Sequence, residues 1–168
     1  GYTSDHAGLA FLPLTGVLIV SNVISGWIVA RLGVRLPMTV GAAAAALGFA
    51  LLFKLDSETG YGGMVVPFVL IPVGIGLAVP AMTTALLSSV EAQSAGIASA
   101  VLNSARQAGG AVGVAVFGTL IGHSATHFIF GLRWAVMLSA FVLITSAAVA
   151  WVSIRANTAQ TDTAAIAT

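Results

Sequence analysis

Five runs of apolar residues, each long enough to cross a bilayer, occupy most of the chain: Ala7–Ala30, Leu36–Phe53, Met64–Val90, Gly96–Ile121 and Trp134–Ile154. A helix rises about 1.5 Å per residue, so roughly 20 apolar residues cover the ~30 Å hydrocarbon slab. Arg106 is the only formally charged side chain inside these runs. Helices of a water-soluble domain keep a charged face toward solvent, and these runs lack one. The pattern predicts an all-α protein, a polytopic transmembrane bundle of five spans. Barrel strands would show apolar–polar alternation over about ten residues, and no such period occurs. Inside lipid, a helix satisfies its backbone N–H and C=O groups within its own segment.

Composition narrows the function classes. Hydrophobic residues make up 58% of the 168 positions and charged residues 7%, against roughly 25% charged in soluble domains. A net charge of +1 gives no basic field of the kind that recruits nucleic acid. The absence of cysteine excludes disulfides, thiolate metal sites and a cysteine nucleophile. There is no Gly-x-Ser-x-Gly elbow, no His-Glu-x-x-His, and no acid pair within a run, so no enzyme is expected. His6, His123 and His127 are placed on one membrane face by the expected topology. No carboxylate completes a ligand set with them, and they read as loop histidines, without metal or cofactor.

The runs are joined by short connections: Arg31–Arg35, Lys54–Gly63 with its Gly and Asp-Ser-Glu turn material, Glu91–Ala95, and Gly122–Arg133. The membrane region is expected over 1–154. Beyond it, 155–168 is Ala/Thr-rich and aperiodic and reads as a disordered tail. Lys/Arg bias sets orientation. Arg31, Arg35 and Arg155 fall on one side, Lys54 and Arg133 on the other, which puts Gly1 outside and Thr168 in the cytoplasm. The opening Gly1-Tyr2-Thr3-Ser4-Asp5 has no initiator Met and no basic leader, and the first run is too long for a signal-peptide core. The chain is therefore expected to be a fragment that continues upstream.

The fourth run is the most informative. Asn103 and Gln107 lie one turn apart and Arg106 sits beside them, so one polar stripe enters an apolar helix. A guanidinium at such a depth costs roughly 2.5 kcal/mol or more on insertion scales and normally faces protein or a water-filled cavity. Two readings stay open: a pathway or gating role for Asn103, Arg106 and Gln107, or snorkelling of Arg106 to the headgroups. Gly109, Gly110 and Gly113, with Gly118 and Gly122 further on, form small-residue ridges suited to helix packing. They are no nucleotide loop, because no strand precedes them and no Lys follows. In the third run, Pro72, Gly74, Gly76 and Pro80 predict a kink or hinge, although proline is also common in passive membrane helices. Gly26, Arg31, Gly33 and Arg35 mark the first turn, where Gly33 permits a tight reversal.

Several of these segments resemble a known family. Gly1-Tyr2-Thr3 with Ala7–Leu14, then Gly74–Pro80, and above all Ala95–Ala115, are similar to the late spans of fourteen-span drug:proton antiporters of the major facilitator superfamily. The resemblance covers the chain to about Ile154 and implies part of the C-terminal half of that fold. Gly26, Arg31, Gly33 and Arg35 match the second-half copy of the superfamily's Gly-x-x-x-Asp-Arg-x-Gly-x-Arg/Lys loop motif, with Ala30 where the acid would stand. The resemblance implies export of hydrophobic, often cationic compounds by alternating access across a bacterial cell membrane, coupled to proton entry. Its partners would be the lipid bilayer, the missing N-terminal spans, a small-molecule substrate and protons. The runs contain no Asp, Glu or His to carry a proton, and five helices are less than one rocking bundle, so the chain alone is not expected to transport. The competing reading is a non-transporting membrane module that assembles with another protein through its Gly/Ala faces.

Overall fold

The computed structural model describes residues 4–54, 61–121 and 125–154, with side chains over 14–54, 65–120 and 130–154. These residues form five helices: α1 (Ser4–Leu32), α2 (Arg35–Phe53), α3 (Tyr61–Ser88), α4 (Ala95–Ile121) and α5 (Ala125–Ser153). A single 3₁₀ turn, Ala92–Ser94, leads into α4, and no strand occurs among the described residues. The expected tail 155–168 and His123 lie outside the described residues, and the side chains of His6 and His127 are likewise outside them.

Among the described residues, four helices are long and apolar enough to cross a membrane, over Leu14–Leu32, Arg35–Phe53, Val65–Ser88 and Phe130–Ser153. The fifth, α4, has 27 residues, ample length, but Asn103, Arg106 and Gln107 dilute its apolar character. α5 begins at Ala125, well before Trp134, so part of the expected loop is helical. The sequence places the connection over Gly122–Arg133. Instead Gly131 is buried in the helix, and the Arg133 side chain carries its guanidinium to 5.7 Å from the Phe53 ring centre. A long aliphatic stem lets the charge leave the apolar surface while its Cα stays helical.

The turn between α1 and α2 follows from one glycine. Gly33 has φ 76°, the only positive φ among the described residues. Its N–H donates to the Val29 carbonyl at 3.0 Å, the single bond that closes a helix through a left-handed residue. Any L side chain there would sit against the carbonyl oxygen, at roughly 1–2 kcal/mol.

Helices α2 and α3 pack along their length, as do α1 with α3 and α2 with α5, while α4 rests on α5 and touches α3 lightly. The backbones nearly meet at glycines. A Cβ added to Gly41 would lie 2.6 Å from the Gly74 carbonyl oxygen and 2.8 Å from the Ala78 nitrogen. One added to Gly48 would lie 2.7 Å from Ile71 Cγ1, and one added to Gly76 2.6 Å from Ser21 Cβ. Two residues along a helix turn through about 200°. Gly74 therefore faces α2 while Gly76 faces α1, and α3 is gripped on both sides. Ser25 Oγ donates across the second contact to the Leu77 carbonyl at 2.7 Å. The buried apolar side chains are small: Ala42, Ala45, Ala46, Ala81, Ala135, Val136, Ala140 and Ala150. Lipid tails are as apolar as the side chains, so helices associate through close packing, and small residues permit it.

Gly74→Ala would place its methyl 2.8 Å from Ala45 Cβ and closer still to the α2 backbone. It should destabilise the bundle by about 1–3 kcal/mol and lower the thermal midpoint in detergent. Gly118→Ala, which meets nothing within 4 Å, should leave that midpoint unchanged or slightly raised.

Candidate functional site

On α4, Asn103, Arg106, Gln107 and Gly110 fall at i, i+3, i+4 and i+7 and so share one face. All four are exposed. An arginine side chain leaves its helix leaning toward the helix N-terminus, here the end joined to α3 by residues 89–94. Arg106 Nη2 donates to Thr83 Oγ1 at 2.9 Å and lies 3.5 Å from the Val79 carbonyl oxygen. Thr83 Oγ1 in turn donates to that same carbonyl at 3.0 Å. The guanidinium is thus tied to the neighbouring helix.

The receiving stretch of α3 is unusual in its own backbone. Pro67, Pro72 and Pro80 all lie inside a helix that runs without a break from Tyr61 to Ser88. Proline has no N–H, so the carbonyl four residues before each one loses its helical donor. Around Pro80, side chains bond to the backbone: Ser25 to Leu77, Thr83 to Val79, and Thr84 to Pro80 at 3.0 Å. This is where Arg106 attaches.

A different side of α4 forms an open apolar groove with α5, lined by Gly109, Val112, Gly113, Val116 and Phe117 opposite Leu138, Val142 and Leu143, with Phe49 of α2 at its edge. No neighbouring atom comes within 4 Å of the positions a Cβ would take on Gly109, Gly110 or Gly113. Those glycines present bare backbone, whereas Gly74 and Gly76 are in tight helix contacts, and Pro72 is buried beside them. A second apolar groove runs between α1 and α3, lined by Val17, Val20, Ile24, Val69 and Val73.

The first-turn residues stand at the end of the bundle where α1 ends and α2 begins. Arg31 stacks on Trp27, its guanidinium carbon 4.0 Å from the ring centre, and Arg35 stacks on Trp151 of α5 at 3.5 Å. Nε and Nη2 of Arg35 are buried and find no hydrogen-bond acceptor. Gly26 is exposed with open space around it. Position 30, acidic in the loop motif, is an exposed alanine, which provides no carboxylate for Arg35. Arg35–Trp151 at one end of the α2–α5 pair and Arg133–Phe53 at the other show the two helices antiparallel.

The sequence did not single out Trp27, Trp151 or Phe53, though aromatic residues paired with arginine at span ends are an interfacial signature. Thr83 stands three residues after Pro80 as an ordinary polar residue of the third run. It lies 23 positions from Arg106, and no local pattern joins them.

This arrangement of apolar helices, with arginines and aromatics at the helix ends and one polar face, defines an integral membrane helix bundle. Residues 1–114 match the Major Facilitator Superfamily, and the chain belongs to that family. It is 33% identical over 135 residues to a tetracenomycin C resistance and export protein of Streptomyces glaucescens, covering 80% of this chain and 25% of that protein. It is 37% identical over 124 residues to a cephamycin export protein of Amycolatopsis lactamdurans, covering 73% and 26%. A puromycin resistance protein of Streptomyces alboniger is 35% identical over 181 aligned positions, covering 96% and 36%. The chain thus spans about a quarter to a third of the length of these relatives. No solved structure matches it.

The Arg35 pocket makes a checkable statement about stability. Burying guanidinium N–H groups without acceptors is unfavourable, and the Trp151 ring face is what offsets it. Trp151→Ala should therefore lower the detergent unfolding midpoint by an amount equivalent to about 2 kcal/mol or more. Arg35→Met, which removes the unsatisfied donors and keeps the volume, should be neutral or stabilising by the same measure.

Proposed function

We propose that this chain supplies membrane helices from the C-terminal half of a bacterial drug or antibiotic exporter that works by alternating access, coupled to proton entry. The observation that carries this reading is the Arg106–Thr83 contact: a guanidinium well inside a helix of the bundle, held by α3, on a face with Asn103 and Gln107. Ionisable groups at such depths mark substrate or ion pathways. The printed names of the relatives, export and resistance proteins for tetracenomycin C, cephamycin and puromycin, support the same assignment.

In this reading α4 also spans the membrane, as the fourth of five spans. The Arg31/Arg35 end faces the cytoplasm, with Gly1 outside and Thr168 inside, and the exposed polar face of α4 meets helices that precede this chain. Gly109, Gly110 and Gly113 let those helices or a substrate come close, and Pro72 and Pro80 allow α3 to flex. The four candidate spans and α4 contain no Asp, Glu or His. The proton-binding group therefore belongs to the remainder of the exporter, and two bundles must rock about the shared site.

In the exporter that contains this chain, Arg106→Ala should reduce export by about tenfold or more, as expected for losing charge-assisted hydrogen bonds, with unchanged protein in the membrane. Normal export at normal abundance would remove Arg106 from the mechanism. The 168-residue chain alone, reconstituted in proteoliposomes, should show no substrate-dependent proton flux.

A further inference from the structure

The Trp151 ring covers one face of the Arg35 guanidinium, and Nε and Nη2 are buried without an acceptor. Nη1 is not one of the buried atoms, and it makes no hydrogen bond among the described residues either. It is the nitrogen through which this charge reaches the surface. A cation drawn partly out of water attracts a counter-ion more strongly than a hydrated one, because less of the field is screened. No counter-ion is supplied among the described residues. Neither Arg31 nor Arg35 has an ion pair there, Glu91 at the α3–α4 connection pairs with neither, and position 30 is alanine. Depth decides which anion can come. Arg35 is the first residue of α2, whose 19 residues rise about 28 Å, and Trp151 lies in the last turn of α5. Both stand where hydrocarbon gives way to headgroups.

We propose that Arg35, backed by Trp151 at this end of the α2–α5 pair, is a binding site for the phosphate of an anionic phospholipid such as phosphatidylglycerol. Nη1 donates to a phosphate oxygen, and the acyl chains need no pocket because they stay in the bilayer. Trp151 is a positioning residue: its ring holds the guanidinium on one face and leaves the edge that carries Nη1 to the headgroup. A zwitterionic lipid is a poorer occupant, since its own ammonium already neutralises the phosphate. A soluble phosphate ester must leave bulk water for the edge of the hydrocarbon, where the lipid already holds its phosphate. Arg31 provides the contrast. It is exposed and stacks on Trp27 of its own helix, so water solvates its donors. General attraction of anionic lipid to cations near the surface would treat the two arginines alike, whereas a site built on partial burial favours Arg35. The inference concerns the membrane bundle and does not depend on the export reading.

The test uses the purified full-length protein in dodecyl maltoside micelles, with energy transfer from its tryptophans to pyrene-labelled phosphatidylglycerol as the signal. Unlabelled phosphatidylglycerol, phosphatidylcholine and glycerol 3-phosphate then compete for the site. Phosphatidylglycerol should displace the probe at about tenfold lower concentration than phosphatidylcholine, as one charge-assisted hydrogen bond implies, and glycerol 3-phosphate should be far weaker than either. Arg35→Met should bring the two lipids level. That variant is expected to be no less stable in detergent, so the loss would report the site and not the fold. Arg31→Gln, which removes the same charge four residues away, should keep most of the preference. Were Arg35→Met not to fold, the wild-type protein and Arg31→Gln would still decide, since the preference must exist in the first and survive in the second. Equal displacement by the two lipids in the wild-type protein, as when a carboxylate elsewhere in the full-length chain occupies Arg35, would overturn the proposal. So would a preference that persists in Arg35→Met, one that Arg31→Gln abolishes, or displacement by glycerol 3-phosphate as effective as that by phosphatidylglycerol.

Discussion

The fold depends on backbone meeting backbone across α3. In lipid there is no water to expel, so pairing energy must come from dispersion and from hydrogen bonds between helices. A gap of about 0.5–1 Å already forfeits roughly a quarter to a half of a dispersion contact, which makes the glycines decisive. Gly74 against Gly41 and Gly76 against Ser21 bring α2 and α1 onto opposite sides of α3 at distances no side chain would permit. Ser25 adds a hydrogen bond to Leu77 on the α1 side. With α3 fixed between two neighbours, α2 can turn its remaining small residues toward α5, and the order α1, α3, α2, α5 follows.

Charge then sets where that packed unit stops. α2 has 19 residues, about 28 Å of rise, close to the hydrocarbon thickness. At one end Arg35 lies on Trp151, at the other Arg133 lies on Phe53. Each arginine thus sits over an aromatic ring of the neighbouring helix, where cation–π attraction and a flexible stem let it stay near the interface. Arg31 on Trp27 repeats the device within α1. These contacts also explain how α5 starts nearer the chain's fourth helix than its charge would suggest. Arg133 can belong to the helix because its head group leaves the apolar surface.

The helical class and the family were legible in the sequence because both rest on local quantities, namely run length, the scarcity of charge and the residue string from Ala95 to Ala115. Partnerships were not. Gly74 and Gly76 drew notice as parts of a proline-rich stretch, but nothing local says that one faces α2 and the other α1, and Gly41 drew none. Gly109, Gly110 and Gly113 have the same small-residue spacing as the packed glycines, yet they face open space in this chain. Spacing shows that a close approach is permitted and cannot show who approaches. Thr83 illustrates the same limit for the polar face. A threonine after a proline is ordinary in a helix, and its importance comes from the arginine that tertiary packing brings to it.

That arginine is also specific in kind. A lysine ammonium concentrates its donors at one strongly hydrated point, so an anchor on Thr83 would engage the whole charge. A guanidinium spreads five N–H donors around a plane. One edge can therefore hold the hydroxyl of Thr83 and approach the Val79 carbonyl while Nε and Nη1 remain available. The Val79 carbonyl accepts from Thr83 as well, which fixes the hydroxyl so that its lone pairs face Arg106. The polar face of α4 is preorganised by this short chain of contacts, and α4 needs it, because it shares little other surface with α3.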